Sequence, residues 1–199
     1  SQYLHARDVA DKLRRALRGE ATGDGEAPDP VMVEVAEGLV ARWGASGQGV
    51  AREMGPLIVT LMRGGVDAAH PDVSWRMFPE APMVICATPD MVGSRLLFRG
   101  YGVSQGMRPV EAGLLACDCA LVVDEAHLNR QLVKTARRIA DLERMAAVCN
   151  DDKGMAGSGV PVRPVARPLQ VVESTATPPR SDGEDMRRVD VSEDDVAGD

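Results

Sequence analysis

Four short apolar runs punctuate the chain: Pro56–Leu61, Met83–Ala87, Ala120–Val123 and Leu169–Glu173. Each is continuous rather than alternating, the pattern of a parallel strand covered on both faces. Between them the spacing changes to threes and fours. Leu4 to Leu17 places Val9, Leu13, Ala16 and Leu17 on one stripe, and Met32 to Trp43 does the same with Val35, Ala36, Leu39 and Val40. Leu128 to Val148 runs through Leu132, Val133, Ala136, Ile139, Leu142 and Ala146, the signature of one buried helix face. Strands alternating with helices predict an α/β fold, a parallel sheet with flanking helices joined by right-handed crossovers. In such sheets ligand chemistry gathers at the carboxyl ends of the strands, so the residues just past each run matter most.

Three stretches stand outside this pattern. Gly19–Pro30 is rich in Gly, Pro and acid and reads as a solvated loop. Asp151–Pro168 is rich in Gly, Pro and Val without periodicity and reads as an excursion before the last strand. Beyond Pro178 there is too little apolar content to fold alone, which divides the chain into a domain over 1–179 and an acidic, disordered tail or linker over 180–199. The first residues read as the body of a helix, with no initiating Met or signal peptide at Ser1, so the chain is expected to start within a longer protein.

Charge narrows the choice of partner less than the bulk figure suggests. The net charge is -7, but the stretch from Arg180 to Asp199 holds eight acids and three bases and so supplies -5 of it. The rest is nearly neutral and has room for basic patches. The 3% aromatic content leaves any core to Val, Leu, Ile, Met and Ala. Cys86, Cys117, Cys119 and Cys149 form no CxxC pair, which predicts reduced cytoplasmic thiols and no zinc. No apolar run approaches the ~20 residues of a membrane span, so no membrane partner is expected.

The strongest chemical signal is LVVDEAH, Leu121 to His127, where two adjacent acids end an apolar strand. Carboxylates there are costly unless a cation neutralises them, and a nucleotide-bound Mg²⁺ does so. Asp124 would then hold the metal and Glu125 would orient or deprotonate the attacking water. An ordinary helix N-cap accounts for such a pair equally simply. The second signal, VVESTATPP, sets Ser174, Thr175 and Thr177 after another apolar strand, before Pro178 and Pro179. An ordinary Ser/Thr turn is its bland counterpart. Two polar clusters after two strands, with a helix between, are harder to ascribe to chance.

The DEAH of Asp124–His127 and the STAT of Ser174–Thr177 resemble motifs II and III of superfamily 2 helicases. The run from Thr88 to Leu128, with its SRLLFRGYGVS, resembles more narrowly the helicase–nuclease of type I CRISPR systems, particularly the type I-U (I-G) branch. The LMRGG at Leu61–Gly65 and the SW at Ser74–Trp75 look like that branch too, so the likeness covers about Tyr3 to Pro179. It implies a partial first RecA-like helicase domain. The parent would be an ATP- and Mg²⁺-dependent 3′-to-5′ translocase on single-stranded DNA, with an HD nuclease domain and recruitment by the CRISPR Cascade complex in antiviral defence. Under it Asp124 and Glu125 are the hydrolysis pair and His127 the coupling residue. Ser174, Thr175 and Thr177 link hydrolysis to DNA. Gly64 and Gly65 let a nucleic-acid backbone approach, and Thr88, Pro89 and Asp90 form a contacting motif.

The residues support part of this independently. A Gly pair exposes backbone N–H groups as phosphate contact requires. Arg63, Arg95, Arg99 and Arg108 accompany these elements, with Tyr101 between Gly100 and Gly102, a mixture that grips a backbone and stacks bases; Ser94 and Arg95 are the expected contacts there. A solvated basic face is the plainer reading. His5 and His70 read as surface residues, Cys117 and Cys119 as core packing, and Trp43 and Trp75 as packing residues.

No Gly-Lys-Ser/Thr triplet, the phosphate clamp of a P-loop, occurs in the sequence. The chain by itself is therefore expected to be inactive as an ATPase, the P-loop strand lying upstream in the parent. Two other readings are open: a different superfamily 2 DNA helicase, of restriction or repair type, and a degenerate module that only binds DNA or Cascade.

Overall fold

The computed structural model describes residues 2–20, 27–64, 73–154 and 167–174. The elements in chain order are α1 (Gln2–Leu17), α2 (Pro30–Arg42), α3 (Gly44–Met54), β1 (Ile58–Met62), α4 (Ser74–Met77), β2 (Met83–Ala87), α5 (Pro89–Leu96), α6 (Arg108–Ala116), β3 (Ala120–Val123), α7 (Arg130–Gly154) and β4 (Gln170–Glu173). This is a mixed helix-and-strand fold of small parallel sheets with flanking helices. The strands form two parallel pairs, β1–β2 and β3–β4, where the sequence pattern predicts one sheet; no ladder joins the pairs among the described residues.

Local chemistry explains the boundaries. α2 starts where Asp29 accepts a hydrogen bond from the Val31 N–H at 2.9 Å, with Pro30 in the first turn where its missing N–H costs nothing. α3 ends at Gly55, whose φ of 109° turns the chain into β1. β1 begins at Ile58 rather than Pro56, because Pro56 has no N–H for a ladder, and the Ile58 N–H goes to the Pro82 carbonyl.

The first core lies under α1–α3. Val40, Trp43, Ala51, Ile58 and Ala81 are buried together, with Leu17, Val50, Phe78 and Met83 around them. Trp43 is the anchor: it is 1% exposed, and its indole N–H reaches the Pro56 carbonyl at 3.0 Å. Trp75 is also buried, so both tryptophans pack as the sequence suggests. The helical stripes hold in part. Leu13, Ala16, Ala36 and Val40 are buried, whereas Val35 is exposed.

The second core joins the two halves. Val92, Leu96 and Ala116 pack with Ala87 of β2, Leu121 of β3, and Leu132 and Ile139 of α7. On α7 the stripe runs through Val133, Ala136 and Ala140 and then fails, since Leu142 and Ala146 are exposed. Ala136 and Ala140 sit against Leu169, Leu121 and Val171. Thus α7 covers one face of β3–β4. The register partners Val122 and Val172 point away from it and are 64% and 48% exposed. Coverage on both faces, expected from the unbroken apolar runs, is therefore not found for this pair.

Arg76, Arg95 and Glu111 form a third organising unit. Glu111 is 1% exposed; Arg76 donates to its Oε1 at 2.9 Å, and Arg95 Nε lies 2.9 Å from its Oε2, off the line of a hydrogen bond. A buried carboxylate must be paired, and this pairing ties α4, α5 and α6 together.

Candidate functional site

β3 delivers the acid pair. It runs parallel to β4 with Val123 opposite Glu173, so the next residues, Asp124 and Ser174, leave the strands at the same end. The junction is stapled twice: the Ser174 N–H donates to the Val123 carbonyl at 2.9 Å, and the Ala126 N–H to the Ser174 carbonyl at 3.1 Å. Ala126 is buried in a small cluster with Val123 and Val133, which leaves Asp124, Glu125 and His127 exposed around it. The turn is tight enough to force Glu125 to a φ of 49°, a left-handed conformation unfavourable for a residue with a Cβ.

Asp124 is held by the chain at both oxygens. Its Oδ1 accepts the Glu125 N–H at 3.1 Å, and its Oδ2 accepts the side-chain amide of Gln2 at 2.7 Å. An ionised carboxylate only accepts, so the Gln2 nitrogen faces it. Asn129 donates to the Asp124 carbonyl at 3.3 Å. His127 Nδ1 lies 3.3 Å from Glu125 Oε2, which makes these two one unit. Arg137 of α7 pairs with Glu173 beside them. Each oxygen of Asp124 keeps acceptor capacity, so the carboxylate can still meet a cation.

No group of three or more His, Cys, Asp or Glu able to hold a metal occurs among the described residues. Asp124 and Glu125 set two exposed carboxylates side by side in this turn. No Gly-Lys-Ser/Thr phosphate clamp occurs in this sequence.

The nucleic-acid candidates gather at the end of the other pair. Met62 opposes Ala87, and the Thr88 N–H donates to the Met62 carbonyl at 3.1 Å. Arg63 and Gly64 after β1 therefore lie beside Thr88, Pro89 and Asp90 after β2, and all five are exposed. A Cβ on Gly64 would meet nothing within 4 Å among the described residues. Thr88 makes no side-chain cap to α5; Pro89 has no N–H and the Met91 N–H goes to the Thr88 carbonyl at 3.0 Å, so the Thr88 hydroxyl and the Asp90 amide are the groups this turn could offer a phosphate.

Two expected contacts take other places. Arg95 is 8% exposed and is spent on Glu111 and on the Met91 carbonyl, 3.1 Å away. It braces the frame rather than facing solvent. Ser94 is partly buried and returns its hydroxyl to the Met91 carbonyl at 3.1 Å. Gly65, Thr175, Thr177 and His70 lie outside the described residues. So do the greater part of the Asp151–Pro168 excursion and the whole of 180–199.

The thiols divide. Cys119 is partly buried and donates to the Leu114 carbonyl at 3.1 Å; burial pushes its pKa up to about 11. Cys117, expected in the core, is exposed and faces Glu143, with burial of part of its surface and then that carboxylate raising its pKa. His5 is exposed. Sequence reasoning missed Gln2, Asn129 and Glu111. Only Glu111 carried a readable sign, an acid in the first turn of an apolar helix.

No protein-family model, curated protein or solved structure matches the chain. No described helix is long and apolar enough to cross a membrane.

Proposed function

We propose that the chain is a piece of an ATP-driven nucleic-acid motor: part of the first RecA-like domain of a superfamily 2 helicase, of the kind found in the helicase–nuclease of type I CRISPR systems. In this reading Asp124 holds the Mg²⁺ of a bound nucleotide, and Glu125 orients the water that attacks the γ-phosphate. His127, with Ser174, Thr175 and Thr177, passes the change at the phosphate to the strand-binding side. Arg63, Gly64, Thr88, Pro89 and Asp90 meet the backbone of single-stranded DNA, and the parent protein is recruited by Cascade in the cytoplasm.

The observation that carries the reading is the β3–β4 junction. Ser174 shares one strand end with the Asp124–His127 turn: its N–H donates to Val123, the last residue of β3, at 2.9 Å, and its carbonyl accepts the Ala126 N–H of the turn at 3.1 Å. An N-cap alone would not need the second strand.

Binding of a labelled single-stranded oligonucleotide, followed by fluorescence anisotropy, tests the proposal. Binding should exceed that of a duplex of equal length and weaken steeply with salt. Arg63→Ala should reduce the salt slope by about 1. A chain that binds no nucleic acid even at low salt sinks the reading. ATP turnover by the chain alone should stay at background with the oligonucleotide present. Turnover that Asp124→Ala removes would overturn the expected inactivity. The simple binding module is favoured by the missing phosphate clamp, and it predicts DNA binding that Mg²⁺-ATP leaves unchanged at every concentration.

A further inference from the structure

α5 ends at an unusual residue. The Phe98 N–H donates to the Arg95 carbonyl at 2.9 Å and the Arg99 N–H to the Ser94 carbonyl at 2.7 Å, the paired bonds that close a helix with a left-handed residue. That position normally belongs to glycine, and here it is Phe98, with φ at 59°. Packing does not account for the choice, because Phe98 is 56% exposed. The fold thus tolerates a disfavoured backbone in order to hold an aromatic ring in solvent. Such tolerance is concentrated at binding and catalytic sites.

The surroundings define what the ring would meet. Of the three arginines between Met91 and Val110, Arg95 is buried against Glu111, while Arg99 is exposed and Arg108 half-buried. Arg99 and Tyr101, the next exposed side chains, continue the same turn, and Tyr101 is 68% exposed. The turn is braced from inside. A Cβ on Gly100 would meet Val103 Cγ2 at 2.9 Å and Arg95 Cγ at 3.2 Å, so the chain here is fixed against the Arg95–Glu111 pair. Phe98 lies ten residues after Thr88, about 15 Å along the helix axis. A rigid aromatic beside the exposed Arg99, at that distance from the strand end that carries Thr88, suits a strand with unpaired bases.

We propose that Phe98 is a base-stacking residue for single-stranded nucleic acid, held ready by its left-handed backbone. This rests on the nucleic-acid reading above and adds a contact with bases to contacts with phosphates.

Two oligonucleotides of equal length, one of thymidines and one abasic, separate stacking from phosphate binding. The wild-type chain should bind the thymidine strand about tenfold tighter than the abasic one. Phe98→Gly should bring the two affinities within about twofold, while its thermal midpoint stays level or rises, because glycine relieves the backbone. A purely structural phenylalanine would instead lower the midpoint. Phe98→Leu should behave like the glycine variant in binding, and Phe98→Trp should restore the preference. Arg63→Ala should weaken both strands alike. If Phe98→Gly keeps the full preference, the inference falls and the nucleic-acid reading stands. If the wild type binds neither strand, both fall. If Phe98→Gly leaves DNA binding intact but abolishes self-association in the ultracentrifuge, the ring serves a protein interface and the inference is overturned.

Discussion

The two strand pairs have the same parallel geometry but unequal burial. In β1–β2, Ile58, Thr60 and Met62 of β1 are buried and Ile58 packs with Trp43, while β2 is half-buried with Val84 exposed. In β3–β4 only Val123 is buried, and the partners Val122 and Val172 face outward. The difference separates two tasks. The closed pair supplies apolar burial, the main source of stability. The open pair leaves Asp124, Glu125 and Ser174 within reach of solvent, where a ligand can find them. A site buried as deeply as β1 would have to desolvate its carboxylates before any cation arrived.

Four changes test this division, from the largest effect to the smallest. Trp43→Ala should cost about 4 kcal/mol, measured by urea denaturation, because it empties the anchor of the closed pair. A loss below about 1 kcal/mol would show that the first core is not where stability resides. Glu111→Gln should cost about 3 kcal/mol, since Arg95 keeps its charge indoors without a partner. A neutral result would mean that the helices behind β2 do not depend on the pair. For Cys119, a pKa pushed to about 11 leaves ~100-fold less thiolate at pH 8 than an ordinary thiol. Iodoacetamide at pH 8 should therefore mark exposed Cys117 before Cys119, which should gain reactivity only as pH rises toward 11, read by mass spectrometry. Equal labelling at pH 8 would show that the start of β3 opens freely. Finally, Val122→Thr and Val172→Thr should each change stability by only a few tenths of a kcal/mol, as exposed positions do. A loss above about 1.5 kcal/mol would show that something covers the open face.

The fold was legible where pattern and burial agree. β2 and β3 fall where their apolar runs predict, and α1, α2 and α7 form where their stripes lie, although Val35, Leu142 and Ala146 of those stripes are exposed. α3 was illegible because Gly44, Gly47 and Gly49 make its sequence look like a loop. Contact with Trp43, which a Cβ on Gly47 would meet at 3.1 Å, replaces local helix propensity as the reason it forms. The division into two pairs was also hidden, since an apolar run of four residues does not say which face is covered. Arg95 misled for the opposite reason. It reads as a surface cation, yet its spacing from Val92 and Leu96 is that of a buried helix face, and Glu111 completes the reason only in three dimensions. Of the candidate site, the acids and Ser174 were readable from their place after strands. Gln2 was not, because nothing in the sequence joins positions 122 residues apart.

That last hydrogen bond gives the molecule a tether. Gln2 occupies one oxygen of Asp124 while the other end of the same helix, at Leu17, is fastened in the first core. α1 spans the interval as a rod about 24 Å long. A ligand that displaced the Gln2 amide from Asp124 would loosen the start of that rod. Amide exchange at Ala6–Val9, the first amides bonded within the helix, would then register from a distance whether that site is occupied.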